Sequence, residues 1–359
     1  MKLLHVINSL NFGGAEKLLV DSLPLYMKEG IDTTVLVLNN TSSPFLERLY
    51  KNGVKVILIN KPKNIYNPWL VIKLLPIIKK FDIVHVHLFP ALYWVSLASL
   101  FLKNKPKLVL TEHNTQNRRR NHILFKFSDK LIYKNFEKII VISEGTKVSL
   151  KQHLGHSFQN IITVNNGIDL EIIKKANPYD KKDLGLPEDS KIIIQISSFT
   201  AQKDQKTLIK AIAQLPDKFH LLLVGDGPLK NDSIILSKSL QIENRVHFLG
   251  YRSDVPQLIK TADICILSSH YEGFGLAIVE GMAAKKPCLG SNVPGLSEII
   301  KNSGILFPAG DIFELKNNIL KLSRDNNYYN TIAEKCFIKS NDYAIETMTN
   351  NYIRIYNNL

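Results

Sequence analysis

Strand-length apolar runs alternate with helix-length patterns along the whole chain, and this alternation restricts the fold more than any single motif. The runs KLLHVIN, TTVLVL, VKVILI, DIVHVHL, KLVLTEH and KIIVIS fill the first half, with helical stretches such as Ala15 to Gly30 and Pro68 to Phe81 between them. Parallel strands need a crossover of a dozen or more residues, usually a helix, so the pattern reads as repeated βαβ units. It restarts after the polar segment NNGIDLEIIKKANPYDKKDLGLPEDS with KIIIQIS, FHLLLVG, RVHFLG, ADICILS, KPCLGS and GILFP. Helices are expected to begin near Lys203, Pro228, Asp254, Gly275 and Asp311. Two doubly wound α/β domains are expected, residues 1–167 and 168–340. The last stretch, 341–359, has Asn and Tyr at helical spacing and is expected to close as a helix against the first domain. A length of 359 residues suits two such cores better than one.

Charge divides unevenly between the halves. Residues 1–167 hold 23 Lys and Arg against 10 Asp and Glu, a net of +13, and residues 168–359 hold 23 against 22, a net of +1. Such asymmetry points to an anionic, extended partner, and no recognition motif accompanies it that would favour nucleic acid. Arg118, Arg119 and Arg120 precede HILFKFSDKLIYKNFEKI, a basic amphipathic pattern suited to anionic headgroups, where each cation near the surface contributes roughly 1 kcal/mol. An ordinary helix on the sheet with its lysines in water fits the same residues. The most apolar stretch, Phe89 to Leu102, has 14 residues where a membrane span needs roughly 20, and MKLLHVINSL lacks the features of a leader peptide. A cytoplasmic location, peripheral on the inner face of the membrane, is the expectation. The three cysteines, Cys265, Cys288 and Cys336, have no metal-ligand spacing and are expected as reduced thiols.

In open parallel sheets ligands bind beyond the carboxyl ends of the strands, so the loops that follow the strands are the places to look for chemistry. The first such loop, INSLNFGGAEKLL, holds Gly13 and Gly14. They read either as a close approach to an anion at a helix N-terminus or as a tight turn needing positive φ; the spacing is not that of a nicotinamide-binding turn. His113 ends the fifth strand, where it can donate to a substrate oxygen. His85 and His87 share one strand face, and without a third ligand packing or capping explains them better than a metal. Ile196-SSFTAQKDQKTL places Lys203 and Lys206 at a strand-to-helix turn suited to phosphate. Leu223-VGDGPLK and Phe248-LGYRSDVPQL are turns of the same kind.

The stretch EGFGLAIVEGMAAKKP, Glu272 to Pro287, is the most informative. If a helix starts near Gly275, the amides of Phe274, Gly275 and Leu276 form a phosphate site. Glu280 then lies about 7 Å further along the axis, within reach of ribose hydroxyls. Glu272, ahead of the helix, sits on the other side of the phosphates. The two acids would bracket a sugar nucleotide rather than act as a pair across a glycosidic bond.

With Glu272 and Glu280 in an E-x7-E arrangement, EGFG intact, Gly13–Gly14, NNGID, GDGP at Gly225 and LGYRSDV at Leu249 in order, the chain resembles the GT-B glycosyltransferases, and within them retaining glycosyltransferase family 4 (glycosyl transferases group 1). The resemblance covers nearly the whole chain. It implies two Rossmann-like domains facing a central cleft, the acceptor against the first and the donor against the second. It further implies a hexose-like transfer from a nucleoside diphosphate sugar, a UDP-sugar or GDP-mannose, to a polyprenyl-linked saccharide in surface polysaccharide assembly, with no cofactor and no metal. Catalytic roles fall on Glu272, His113 and Lys203, and donor binding on Gly14, Ser198, Lys203, Tyr251, Arg252, Phe274, Gly275, Leu276 and Glu280. Gly13, Gly14 and Arg118 to Arg120 fall on the acceptor side. In one respect the chain departs from its relatives: many carry Arg five positions before the lysine, and here Ser198 stands there. A hydroxyl does not replace a guanidinium fork, so a sugar-nucleotide-binding partner without transferase activity is the alternative reading.

Overall fold

The computed structural model describes all residues except 12, 40–41, 60–64, 116–121 and 156–157, and for 123–124 only the backbone. It divides into two compact units, Met1–Gly167 with Ile345–Leu359, and Ile168–Ala344.

The first unit is a seven-stranded sheet of β1 (Lys2–Ile7), β2 (Asp32–Val37), β3 (Lys55–Leu58), β4 (Ile83–His87), β5 (Lys107–Glu112), β6 (Lys138–Val141) and β7 (Ile161–Thr163). The order is β3-β2-β1-β4-β5-β6-β7, parallel throughout. Its helices are α1 (Gly14–Lys28), α2 (Pro44–Lys51), α3 (Leu70–Ile78), α4 (Ala91–Leu100), α5 (Ile123–Tyr133) and α6 (Glu144–Leu154). Six of the strands are those expected; β7 was missed because three residues beside a polar connection give too short a run to register.

Strand alternation sends Leu4, Val6, Val84, Val86, Leu108 and Leu110 to a core with α3, α4 and α6, and Leu3, Ile7, Ile83 and Val109 to a core with α1 and α2. The second core also takes Met348, Tyr352 and Tyr356 from the closing helix Ile345–Asn357. Each tyrosine is 2% exposed, and burial of a large apolar side chain stabilises by roughly 2 kcal/mol.

The second unit has β8 (Lys191–Ile196), β9 (Phe219–Val224), β10 (Val246–Gly250), β11 (Ile264–Leu267), β12 (Cys288–Ser291) and β13 (Ile305–Phe307) in the order β10-β9-β8-β11-β12-β13. These too are parallel, and they are the six expected strands. The helices are α7 (Leu170–Lys175), α8 (Gln205–Ala213), α9 (Lys230–Ser239), α10 (Val255–Thr261), α11 (Leu276–Ala283), α12 (Ser297–Ile300), α13 (Ile312–Arg324) and α14 (Asn326–Ser340); the closing helix is α15. Strand order reverses between β1 and β4 in one sheet and between β8 and β11 in the other. At such a point two neighbouring loops leave in opposite directions and open a crevice beyond the strand ends.

Candidate active site

At the β8 and β11 ends of the second unit, two loops bring the expected donor residues together. Lys203 follows β8 and Glu272 follows β11, and their Nζ and Oε2 atoms lie 2.5 Å apart. The pair is largely withdrawn from water, with side chains 18% and 9% exposed, where an ion pair is screened far less than on an open surface. Ser269 Oγ donates to the same carboxylate at 3.2 Å, and the Gly273 amide donates to its other oxygen at 3.2 Å.

The Lys203 loop is held by a buried amide network. Gln195 Nε2 donates to Ser197 Oγ at 3.1 Å and to the Lys203 carbonyl at 3.0 Å, while Gln205 Nε2 donates to Ser197 Oγ at 3.0 Å and to the Ser198 carbonyl at 2.9 Å. Ser268 Oγ, from the other loop, lies 3.0 Å from Gln195 Oε1 and 2.8 Å from the Asp204 carbonyl. These residues were missed as site residues. The available signal was Gln195 itself, an amide inside the apolar run KIIIQI, which must find partners once buried.

Glycine makes the second loop possible. Gly275 is the N-cap of α11 with φ 95°, a left-handed conformation, and no side chain caps this end among the described residues. Gly295 (φ +84°) packs on the backbone of the Glu272 loop; a Cβ there would overlap the Glu272 carbonyl oxygen and lie 2.8 Å from that of Gly273. Phe274 is buried with its ring 5.4 Å from Tyr343, edge to face, and Leu276 is half-buried. Glu280 lies one turn into α11, 5% exposed. The start of this helix therefore offers unpaired amide donors and a positive dipole end between two buried carboxylates, the arrangement that accepts a phosphate.

Tyr251 is about half exposed beyond β10. Arg252 is committed to Asp254, with Nε to Oδ1 at 2.7 Å and Nη2 to Oδ2 at 2.5 Å, and the Tyr179 hydroxyl also donates to Asp254 at 2.5 Å. The guanidinium brings the Asp254 carboxyl down to about 2. A ligand that recruited Arg252 to stand in for the arginine absent at Ser198 would have to compete with this fork.

In the first unit His113 lies just past β5, 8% exposed, with Nε2 3.1 Å from His87 Nδ1. Gly13 and Gly14 open α1, but neither has positive φ: Gly13 is extended at φ −161° and Gly14 is helical. The tight-turn alternative is thereby corrected. The nearest atoms to a Cβ placed at Gly13 would be the carboxylate end of the flexible Glu16 side chain, which can swing aside. Beside it Asn8 ties the β1 and β4 loops, donating to the Phe89 carbonyl at 2.8 Å and accepting from the Ala91 amide at 3.2 Å. Arg118, Arg119 and Arg120 lie outside the described residues. Among the described residues no helix is long and apolar enough to cross a membrane. The cysteines are free and buried, Cys265 and Cys288 in paired strands.

Comparison with known proteins shows what the chain as a whole is similar to. The glycosyltransferase family 4 profile matches residues 12–172, and that of glycosyl transferases group 1 matches residues 177–336. N-acetyl-alpha-D-glucosaminyl L-malate synthase of Bacillus anthracis is 32% identical over 71% of this chain and 68% of its own length. UDP-Gal:alpha-D-GlcNAc-diphosphoundecaprenol alpha-1,3-galactosyltransferase of Escherichia coli is 27% identical over 72% of this chain and 70% of its own. The crystal structure of Anabaena HepE in complex with UDP and glucose superposes with a TM-score of 0.89 at 26% identity, covering all of both chains. The chain belongs to the GT-B glycosyltransferases of group 1 and family 4.

Proposed function

We propose that this glycosyltransferase is a retaining, metal-independent enzyme that moves a sugar from a UDP-sugar to a polyprenyl-linked saccharide during cell-surface polysaccharide synthesis. The observation that carries the donor half is the uncapped start of α11 set between buried Glu272 and Glu280, with Lys203 held 2.5 Å from Glu272. The amides and Lys203 take the diphosphate, Glu280 takes the ribose, and Glu272 takes the sugar. As the bond from the sugar's anomeric carbon to the diphosphate oxygen breaks, the sugar becomes oxocarbenium-like, and an acceptor hydroxyl attacks on the face the leaving group vacates, giving its proton to the departing diphosphate. The negative charge that develops on the diphosphate meets donors already oriented toward it, the arrangement that accounts for most transition-state stabilisation.

UDP in the HepE complex supports the donor base, and the galactosyltransferase, named for a diphosphoundecaprenol-linked acceptor, supports the acceptor class. On α5, Phe127 and Leu131 are 67% and 68% exposed, and Lys126, Lys130 and Lys134 recur every fourth residue beside them. This combination favours an anionic membrane face as the place where a lipid-linked acceptor is met. Ser198 favours the second reading, a partner that binds sugar nucleotide without transferring it. One experiment separates the two: a panel of sugar nucleotides screened by thermal shift, then turnover of the best binder with and without lipid extract. Transfer to lipid supports the proposal, and tight binding with neither transfer nor hydrolysis supports the partner reading.

A further inference from the structure

Four imidazoles meet beneath α1 and α15 on one face of the first sheet: His5 from β1, His85 and His87 from β4, and His113 after β5. All are at least nine-tenths buried. His5, His85 and His87 bring nitrogens within 4.8 Å of one another, close enough for a metal centre and with the third ligand that the sequence reading lacked. The existing bonds argue for another role. His85 Nδ1 is 2.6 Å from the Tyr356 hydroxyl and its Nε2 is 2.7 Å from Thr111 Oγ1, so both its nitrogens are engaged. Among the described residues, the small cavity beside the group is lined by His5, Leu18, Tyr26, Met348 and similar side chains, with no carboxylate to offset a dication.

The other three imidazoles form a line. His5 Nδ1 is 3.0 Å from His87 Nε2, and His87 Nδ1 is 3.1 Å from His113 Nε2. Burial holds the pKa of each below that of a free imidazole, so all three are neutral near pH 7. A neutral imidazole has one donor and one acceptor, which forces every proton in the line to point the same way. The free end sets the direction: His5 Nε2 is buried with no hydrogen-bond partner among the described residues. A buried N–H without a partner is rarer in folded proteins than an unpaired acceptor, so His5 Nε2 is the bare nitrogen. His5 then donates from Nδ1, His87 donates from Nδ1, and His113 receives at Nε2.

We propose that His87 and His5 are positioning residues that hold His113 in the single tautomer that donates through Nδ1–H. The kinetic half of this proposal rests on the transferase reading above; the tautomer half does not. The test uses full-length protein labelled with 15N at histidine, whose imidazole nitrogen shifts separate the tautomers, together with donor kinetics. Expected are an Nδ1–H signal for His113 and, in His87→Leu, loss of that fixed signal with a fall in kcat of on the order of tenfold or more at nearly constant KM. His87→Asn, which keeps a donor near the Nδ1 position, should recover part of both. Because His87→Leu can impair folding, His5→Leu and His5→Asn form a second pair two links from His113, with the same ranking and a smaller effect. An Nε2–H signal for His113 in the wild type would overturn the proposal, as would stoichiometric zinc in the purified protein that His5→Leu removes. Loss of the fixed tautomer without any fall in kcat, while UDP-sugar turnover persists, would overturn its kinetic half and leave the family function standing.

Discussion

The two sheets share a reversal of strand order, yet they furnish it in opposite ways. At β1, β4 and β5 the first unit gathers neutral imidazoles that bond to one another and to Tyr356 of α15. At β8 and β11 the second unit places a lysine, two carboxylates and a bare helix start. The same topology thus supplies neutral donors in one place and charge in the other. The second gives a diphosphate uncapped helix amides beside Lys203, the arrangement that favours a phosphate.

The largest way to break this contrast is Glu272→Gln. The side chain keeps its size, but its single amide oxygen can accept from only one of Ser269 and Gly273, which bond different carboxylate oxygens, and the charge facing Lys203 is lost. Transfer should fall by about a hundredfold or more, read as kcat with the best sugar nucleotide; near-wild-type turnover would remove Glu272 from the chemistry. Gly295→Ala tests the loop instead. Its added Cβ overlaps the Glu272 carbonyl and its φ of +84° strains any other residue, so urea denaturation should show a loss of about 2–3 kcal/mol.

Acid should separate the units more gently. His5 is held down to about 3 and His113 to about 4, and burial also lowers His85 and His87. Below about pH 6.5 the unfolded chain takes up protons that the folded imidazoles refuse. The stability they contribute is complete above that pH and is lost as pH falls toward 4 and then 3, at about 1.4 kcal/mol per pH unit for each such proton. In the second unit Asp254, held at about 2 by Arg252, keeps its contribution down to about pH 4 and loses it only as pH falls further toward 2. His220 and His247 are also lowered there by burial. Both tryptophans, Trp69 and Trp94, lie in the first unit. Between pH 6.5 and 5 the unfolding midpoint followed by their fluorescence should therefore fall further than that followed by far-ultraviolet circular dichroism. Glu280→Gln gives the smallest expected change, a donor affinity about fivefold weaker by calorimetry, because an amide still accepts one ribose hydroxyl.

The strands were legible as apolar runs between turn residues, the second unit's six among them down to the three-residue β13, while β7, beside the polar connection, was missed. The E-x7-E stretch was expected to run into a helix near Gly275, and α11 starts at Leu276 with Glu272 ahead of it and Glu280 inside it. Periodicity says nothing about partners distant in the chain. Gln195, Gln205 and Ser268 act together only because parallel pairing brings β8 beside β11. His5 joins His87 for the same reason, β1 lying beside β4. The pairing of Lys203 with Glu272, 69 residues apart, likewise needed the fold. Of the two readings left open for Gly13, close approach to an anion or a turn needing positive φ, the extended backbone removes the second.

The claim on which the rest depends is that a diphosphate seats on the first amides of α11. Backbone 15N–1H resonances of Gly275 and Leu276, followed while UDP is added to the full-length protein, test it directly. Large, saturable shifts at these two amides are predicted; saturable binding of UDP that leaves Gly275 and Leu276 where they were would contradict the account.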